Sequence, residues 1–139
     1  MFEKYDLGQT IKNLQLIERI DFTLNKKDDR AKIIKTLGKM VKKYKIQHYS
    51  GSVKRAIGNA NTHGEFPVEI NTYFAQDRQM LVVITDQGKG FDYTSMLSKF
   101  KSGKKYYKRG GHGTRSYYKN KHSKVCWHNG GRTISILYD

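Results

Sequence analysis

The chain has 139 residues, of which 28% are charged and 37% hydrophobic, with a single proline, a balance that suits one compact domain burying roughly two thirds of its unfolded surface. Its formal net charge of +15 attracts anionic partners (nucleic acid, a nucleotide, an acidic protein or a membrane surface) without choosing among them, and a solvated lysine-rich surface gives the same number. No apolar run approaches the roughly 18 residues needed to cross a bilayer, the opening MFEKYDLGQT lacks the apolar core of a signal peptide, and the lone Cys126 rules out an internal disulfide and argues against a zinc cluster.

A cytoplasmic protein with no membrane partner is the resulting expectation. Along the chain, Ile11, Leu14 and Ile17 predict a short lead-in helix over residues 9–18. RIDFTLN, residues 19–25, alternates Ile20, Phe22 and Leu24 on one face, as a half-buried strand does. Asp28 or Asp29 then caps a helix running to about Tyr44, with Ile33, Ile34, Leu37, Met40, Val41 and Tyr44 as its apolar stripe. Ser50 or Ser52 opens the next helix, which holds VKRAIGNANTHG. PVEINTYFA (67–75) and QMLVVITD (79–86) read as strands joined by a hairpin turn, the second central in a sheet.

After Asp86 the pattern dissolves into a segment rich in glycine, lysine and tyrosine up to Gly113, followed by a short helix over about 114–120. Two final strands, SKVCWH and RTISILY, flank Asn129-Gly130-Gly131, a strong hairpin signal. The predicted fold class is α/β (α+β). It is a two-layer sandwich in which helices cover one face of a mixed sheet, and residues 1–139 form a single domain. A connection longer than about 15 residues inside a compact domain is usually a functional lid, and here that lid spans about 93–110.

Three motifs carry chemistry. In DQGKGFD (86–92), Asp86 ends a buried strand, and Gly88 and Gly90 remove side chains that would block a ligand, although DxGxG also occurs in ordinary turns. In RGGHGTR (109–115), glycines ahead of a helix free backbone N–H groups to converge on an anion, or simply make a flexible loop. Lys104, Lys105, Lys108, Arg109 and Arg115 add positive charge there. In the helix, Asn59 and His63 share one face. An amide oxygen on a rigid helix can join the oxygen shell of Mg²⁺, or it can satisfy neighbouring backbone. Asn59 and its neighbours are weak helix formers, which marks the position for function.

Taken in order, NANTHG, DQGKGFD, GGHG and the closing WHNGGRTISI resemble the GHKL, or Bergerat-fold, ATP-binding domain shared by gyrase, heat-shock chaperones, histidine kinases and mismatch-repair ATPases. Within that group the chain is most similar to the small bacterial anti-sigma-factor serine kinases, over roughly residues 18–139. The resemblance implies that Asn59 ligates Mg²⁺ on the triphosphate of ATP or ADP. It implies that Asp86 accepts a hydrogen bond from the adenine amino group while Gly88 and Gly90 line the base pocket. Gly111 and Gly113, with His63, Thr114, Arg115 and Thr133 nearby, complete the expected nucleotide site. The partners it implies are a sigma factor or an anti-sigma antagonist, and a second copy in a homodimer.

The chain also departs from that pattern. Where the family carries a glutamate one turn before the asparagine, this sequence has Arg55, and a guanidinium cannot accept a proton. Loss of such a base removes roughly 10²- to 10⁴-fold of catalysis. Thr114 and Arg132 also replace the residues usual at their places. The expected function is therefore ATP/Mg-binding regulation of a protein partner, with weak or absent turnover and no catalytic residue assigned. An active ATPase or protein serine kinase is the first alternative. A nucleic-acid-binding module using KFKSGKKYYKRGG and SYYKNKHSK is the second.

Overall fold

The computed structural model describes residues 2–49, 51–102, 117 and 121–139. Asp6 caps the first helix, α1 (Leu7–Asn13), its carboxylate accepting the Gln9 N–H at 2.7 Å. The helix ends at Asn13, short of the expected residue 18, and β1 (Leu16–Leu24) begins three residues before the expected strand. The cause is pairing: Leu16 lies opposite Ala75 of β2 (Val68–Ala75), and the ladder runs on to Leu24 opposite Val68. Ladder hydrogen bonds outweigh the weak helical spacing of Ile11, Leu14 and Ile17.

A short 3₁₀ turn over Lys27–Asp29 leads into α2 (Arg30–Lys43). Asp29 stands at the helix start, but its carboxylate accepts the Asn25 N–H at 3.2 Å instead of capping a helical one. Helix α3 (Ser52–His63) follows, then β2 and β3 (Gln79–Thr85). Residues expected to begin the lid are instead α4 (Tyr93–Lys101). Its start is fixed by Asp92, whose carboxylate accepts the Ser95 N–H at 3.0 Å. Tyr93, Met96 and Leu97, one turn apart, pack on the core. The rest of the lid, 103–110, lies outside the described residues. Of the helix expected over 114–120 only Tyr117 is described, and it is helical. β4 (Ser123–His128) and β5 (Thr133–Tyr138) close the fold around Asn129-Gly130-Gly131.

The five strands pair antiparallel in the order β1-β2-β3-β5-β4. A parallel bridge between Phe2 and Val125 adds the N-terminal segment beside β4, with the Glu3 N–H donating to the Val125 carbonyl at 3.0 Å. Alternation sends Leu24, Ile70, Phe74, Met80, Val82, Ile84 and Ile136 to one face, where Leu37 of α2 and Val53 and Ile57 of α3 cover them. Each fully buried aliphatic side chain there contributes about 1.5–3 kcal/mol relative to exposure. This is the predicted two-layer α+β architecture. On the opposite face, Tyr73, Leu81 and Val83 pack under Leu7, Ile11 and Leu14.

That second face also holds a polar cluster. The His128 Nε2 and the Ser135 hydroxyl are 2.8 Å apart, and the Tyr5 hydroxyl hydrogen-bonds the same serine. Burial pushes the His128 imidazole below its ordinary pKa, with Asp6 opposing weakly. The unfolded chain therefore takes up this proton near pH 6.5 while the folded one does not. Stability is expected to fall as pH drops below about 6.5, and urea midpoints compared between about pH 7.5 and about pH 5.5 measure it. His128→Gln should flatten that part of the dependence.

Candidate functional site

Helix α3 ends where β3 ends. Gly64 terminates α3, its N–H donating to the Ala60 carbonyl at 2.9 Å, and Asp86 follows β3 on the helix-covered face. A side chain at 64 would bring its Cβ to 2.8 Å from the Asp86 Cβ and 2.7 Å from the Ala60 oxygen. Only glycine permits that approach. The Gln87 N–H donates to Glu65 (3.1 Å) and the Asp86 N–H donates to Arg132 (3.1 Å), so the segment after β3 is tied to both α3 and β5.

Asp86 turns back on its own loop, accepting the Gly88 N–H at 2.7 Å. Two residues on, Gly90 has φ +78°, and a Cβ there would collide with the Gly130 carbonyl oxygen. The Phe91 N–H donates to that same carbonyl at 3.1 Å, locking the first glycine loop onto the β4–β5 turn.

These junctions enclose a cavity of about 560 Å³ between α3, α4 and the ends of β3 and β5, within the size range of small-molecule sites. Asn59, His63, Asp86 and Gly90, all singled out by sequence, line it together. Gly88 packs against the Asp86 carboxylate. Thr133 does not join them. It lies on the other face of the sheet, its hydroxyl 3.0 Å from that of Thr85 and accepting from the Asn129 amide at 3.1 Å. Alternation is the reason, since it is Ile134 that points to the cavity side. Gly111, Gly113, Thr114 and Arg115 lie outside the described residues.

The sequence reading missed the aromatic wall. Trp127, buried in β4, lines the cavity and holds Phe91 edge-on at 5.8 Å, Tyr93 stacked at 6.3 Å and Tyr117 edge-on at 5.9 Å. Ile84, Ile134 and Met96 complete an apolar floor. Lys89, Lys99 and Arg132 line the same cavity, as do Asp86 and Asp92. An apolar slot beside clustered cations suits a flat ring joined to an anionic group.

The Asn59 NH2 donates to the Tyr117 hydroxyl oxygen. Burial pushes that hydroxyl well above its ordinary pKa, while the Asn59 bond and the Arg55 charge pull it partly back. A divalent ion such as Mg²⁺ seeks a shell of hard, preferably anionic oxygens. The residues at this point supply one neutral amide, whose NH2 donates to Tyr117 and whose carbonyl oxygen is not used by that bond, beside a guanidinium one helical turn away. Among the described residues no three His, Cys, Asp or Glu side chains converge as metal ligands.

No protein-family model, no curated protein and no solved structure matches this chain. Among the described residues, no helix is long and apolar enough to cross a membrane.

The backbone contacts make a pair of glycine substitutions diagnostic. Gly90→Ala combines positive φ with a backbone collision, and is expected to destabilise by about 2 kcal/mol or more. Gly38→Ala, inside α2 with nothing within 4 Å of the added methyl, should stabilise by about 0.5–1 kcal/mol. Urea unfolding of the two variants measures both.

Proposed function

We propose that this chain is a nucleotide-binding regulatory protein of the kind its motifs resemble, the anti-sigma-factor serine kinases. On this reading the cleft takes a purine nucleotide, ATP or ADP, and the bound state sets affinity for a protein partner such as a sigma factor or an anti-sigma antagonist. The observation that carries it is the convergence of Asn59, His63, Asp86 and Gly90 on one cavity with an aromatic wall and a cationic rim. Asp86 supplies an acceptor for an exocyclic amino group, and the apolar floor supplies the surface for the ring. Arg55 leaves the helix without the carboxylate that would take a proton from water or a hydroxyl. Binding with little or no turnover follows from that.

Calorimetry with ATP and ADP tests the reading. Wild type should bind both, and Asp86→Asn should weaken binding by about tenfold or more, the usual consequence of losing a charge-assisted hydrogen bond. Nucleotide affinity unchanged by Asp86→Asn, in a variant that still folds, would remove the support for this site. ATP turnover at ordinary enzyme rates in the wild type would favour the active-kinase alternative.

A second reading has its own observation. Lys32, Lys35, Lys39 and Lys42 form an exposed stripe along α2, with no acidic residue inside the helix. Such a stripe suits a phosphate backbone. If nucleic acid is the partner, affinity for single-stranded RNA or DNA should fall steeply with added salt and be indifferent to ATP.

A further inference from the structure

We propose that the N-terminal segment is a strap that seats Trp127 in the cleft wall and is released when His128 takes up a proton. The inference concerns the wall itself and holds whichever ligand the cleft takes.

The segment crosses the outer edge of β4. On the helix-covered face, the Phe2 ring packs on the core and lies 5.4 Å from the Trp127 ring. At the edge, Phe2 bridges Val125, and the Glu3 N–H donates to the Val125 carbonyl at 3.0 Å. On the opposite face, the Tyr5 hydroxyl hydrogen-bonds Ser135, and its ring lies 5.7 Å from that of His128. His128 and Trp127 are neighbours on one strand and point to opposite faces. The strap therefore grips β4 from both sides at the indole.

Its hold is local. Beneath it, against α4, lies a second cavity of about 710 Å³ whose lining includes Lys4, Leu97, Trp127 and His128. The strap spans a void for part of its length, and lifting it sacrifices few packed contacts. The exposed Glu3–Lys124 ion pair, at 3.9 Å, adds little. Trp127 is 8% exposed, with Phe2 on the strap side and Phe91, Tyr93 and Tyr117 around it. Lifting Phe2 opens the indole to solvent and removes the backing of the aromatic wall.

Protonation works against the closed state. A neutral His128 can accept at Nε2 from Ser135 while Ser135 accepts from Tyr5. An imidazolium only donates there. Ser135 must then turn its proton to Tyr5, or to the Cys126 carbonyl at 3.4 Å, and Tyr5 has only the Lys124 carbonyl at 3.5 Å left to receive its own. The other ring nitrogen faces the Cys126 sulfur at 4.0 Å, a weak acceptor. The charges around the ring are mixed. Asp6, which caps α1, favours the proton weakly, while Glu3, Lys4 and Lys101 line the same cavity as His128. Burial holds the imidazole below its ordinary pKa. Lifting Tyr5 away hydrates the ring and restores that value, so protons favour the released strap.

Trp127 is the only tryptophan, so its emission reads the strap in the full chain with no ligand present. Between about pH 7.5 and about pH 5, the wild type should show a reversible red shift and a gain in acrylamide quenching, centred below about pH 6.5. Far-UV circular dichroism should stay unchanged. Phe2→Ala should show the red-shifted, quenchable emission already at about pH 7.5. His128→Gln, whose amide can still meet Ser135, should keep the protected emission across the range. Three outcomes overturn the inference: wild-type emission that ignores pH, a transition that survives in His128→Gln, or a Phe2→Ala spectrum identical to wild type. So does a transition that coincides with loss of the far-UV signal, which marks unfolding of the whole chain. None of these readings involves ATP, so failure here leaves the nucleotide reading standing.

Discussion

The fold depends at one point on a missing side chain. With no Cβ at Gly64, the end of α3 comes within van der Waals distance of Asp86 at the end of β3. That contact sets the separation of the helix layer from the sheet at the mouth of the cavity. Larger residues there would lever α3 away from β3. Asn59 and His63 on the helix would then no longer face Asp86 and Gly90. The neighbouring hydrogen bonds, Gln87 to Glu65 and Asp86 to Arg132, reinforce the same junction. The cavity is thus a product of backbone proximity first, and its side chains are displayed on a frame already fixed.

Much of this frame is legible in the amino-acid order because it is local. The apolar stripe of α2, the run QMLVVIT and the alternation of Ile20, Phe22 and Leu24 each declare a buried face. Gly64, Gly88 and Gly90 fall where separate chain segments come close, and short motifs advertise them. Helix α4 was equally local, with Asp92 as cap and Tyr93, Met96 and Leu97 at helical spacing. Its lysines and the glycines around it gave the stretch a loop-like composition that masked the pattern. Thr133 shows the reverse error. The family resemblance put it in the nucleotide site, but strand alternation assigns it to the far face and gives the position to Ile134. Nothing local reveals the bond between Asn59 and Tyr117, which joins residues distant along the chain, nor the meeting of Phe91, Tyr93 and Tyr117 on Trp127.

Charge is arranged with similar economy. The chain carries +15 overall, yet the cavity mixes cations with two carboxylates, so the long-range field is positive while the cavity itself presents both signs. Asp86 is restrained by the Gly88 N–H on one side. It is therefore a carboxylate held in one orientation, with Lys89, Lys99 and Arg132 lining the same cavity.

The two rims of the sheet are unequal. Beside β4 runs the N-terminal segment, bridged at Phe2 and bonded through Glu3. β1 is the opposite margin of the sheet, with Leu16 and Ile17 about half exposed. The Phe2–Val125 bridge shields part of the β4 margin, whereas β1 has no strand beyond it. Antiparallel addition of another copy at β1 would consume that margin in both partners, so pairing there leads to a two-fold dimer in place of a growing ribbon.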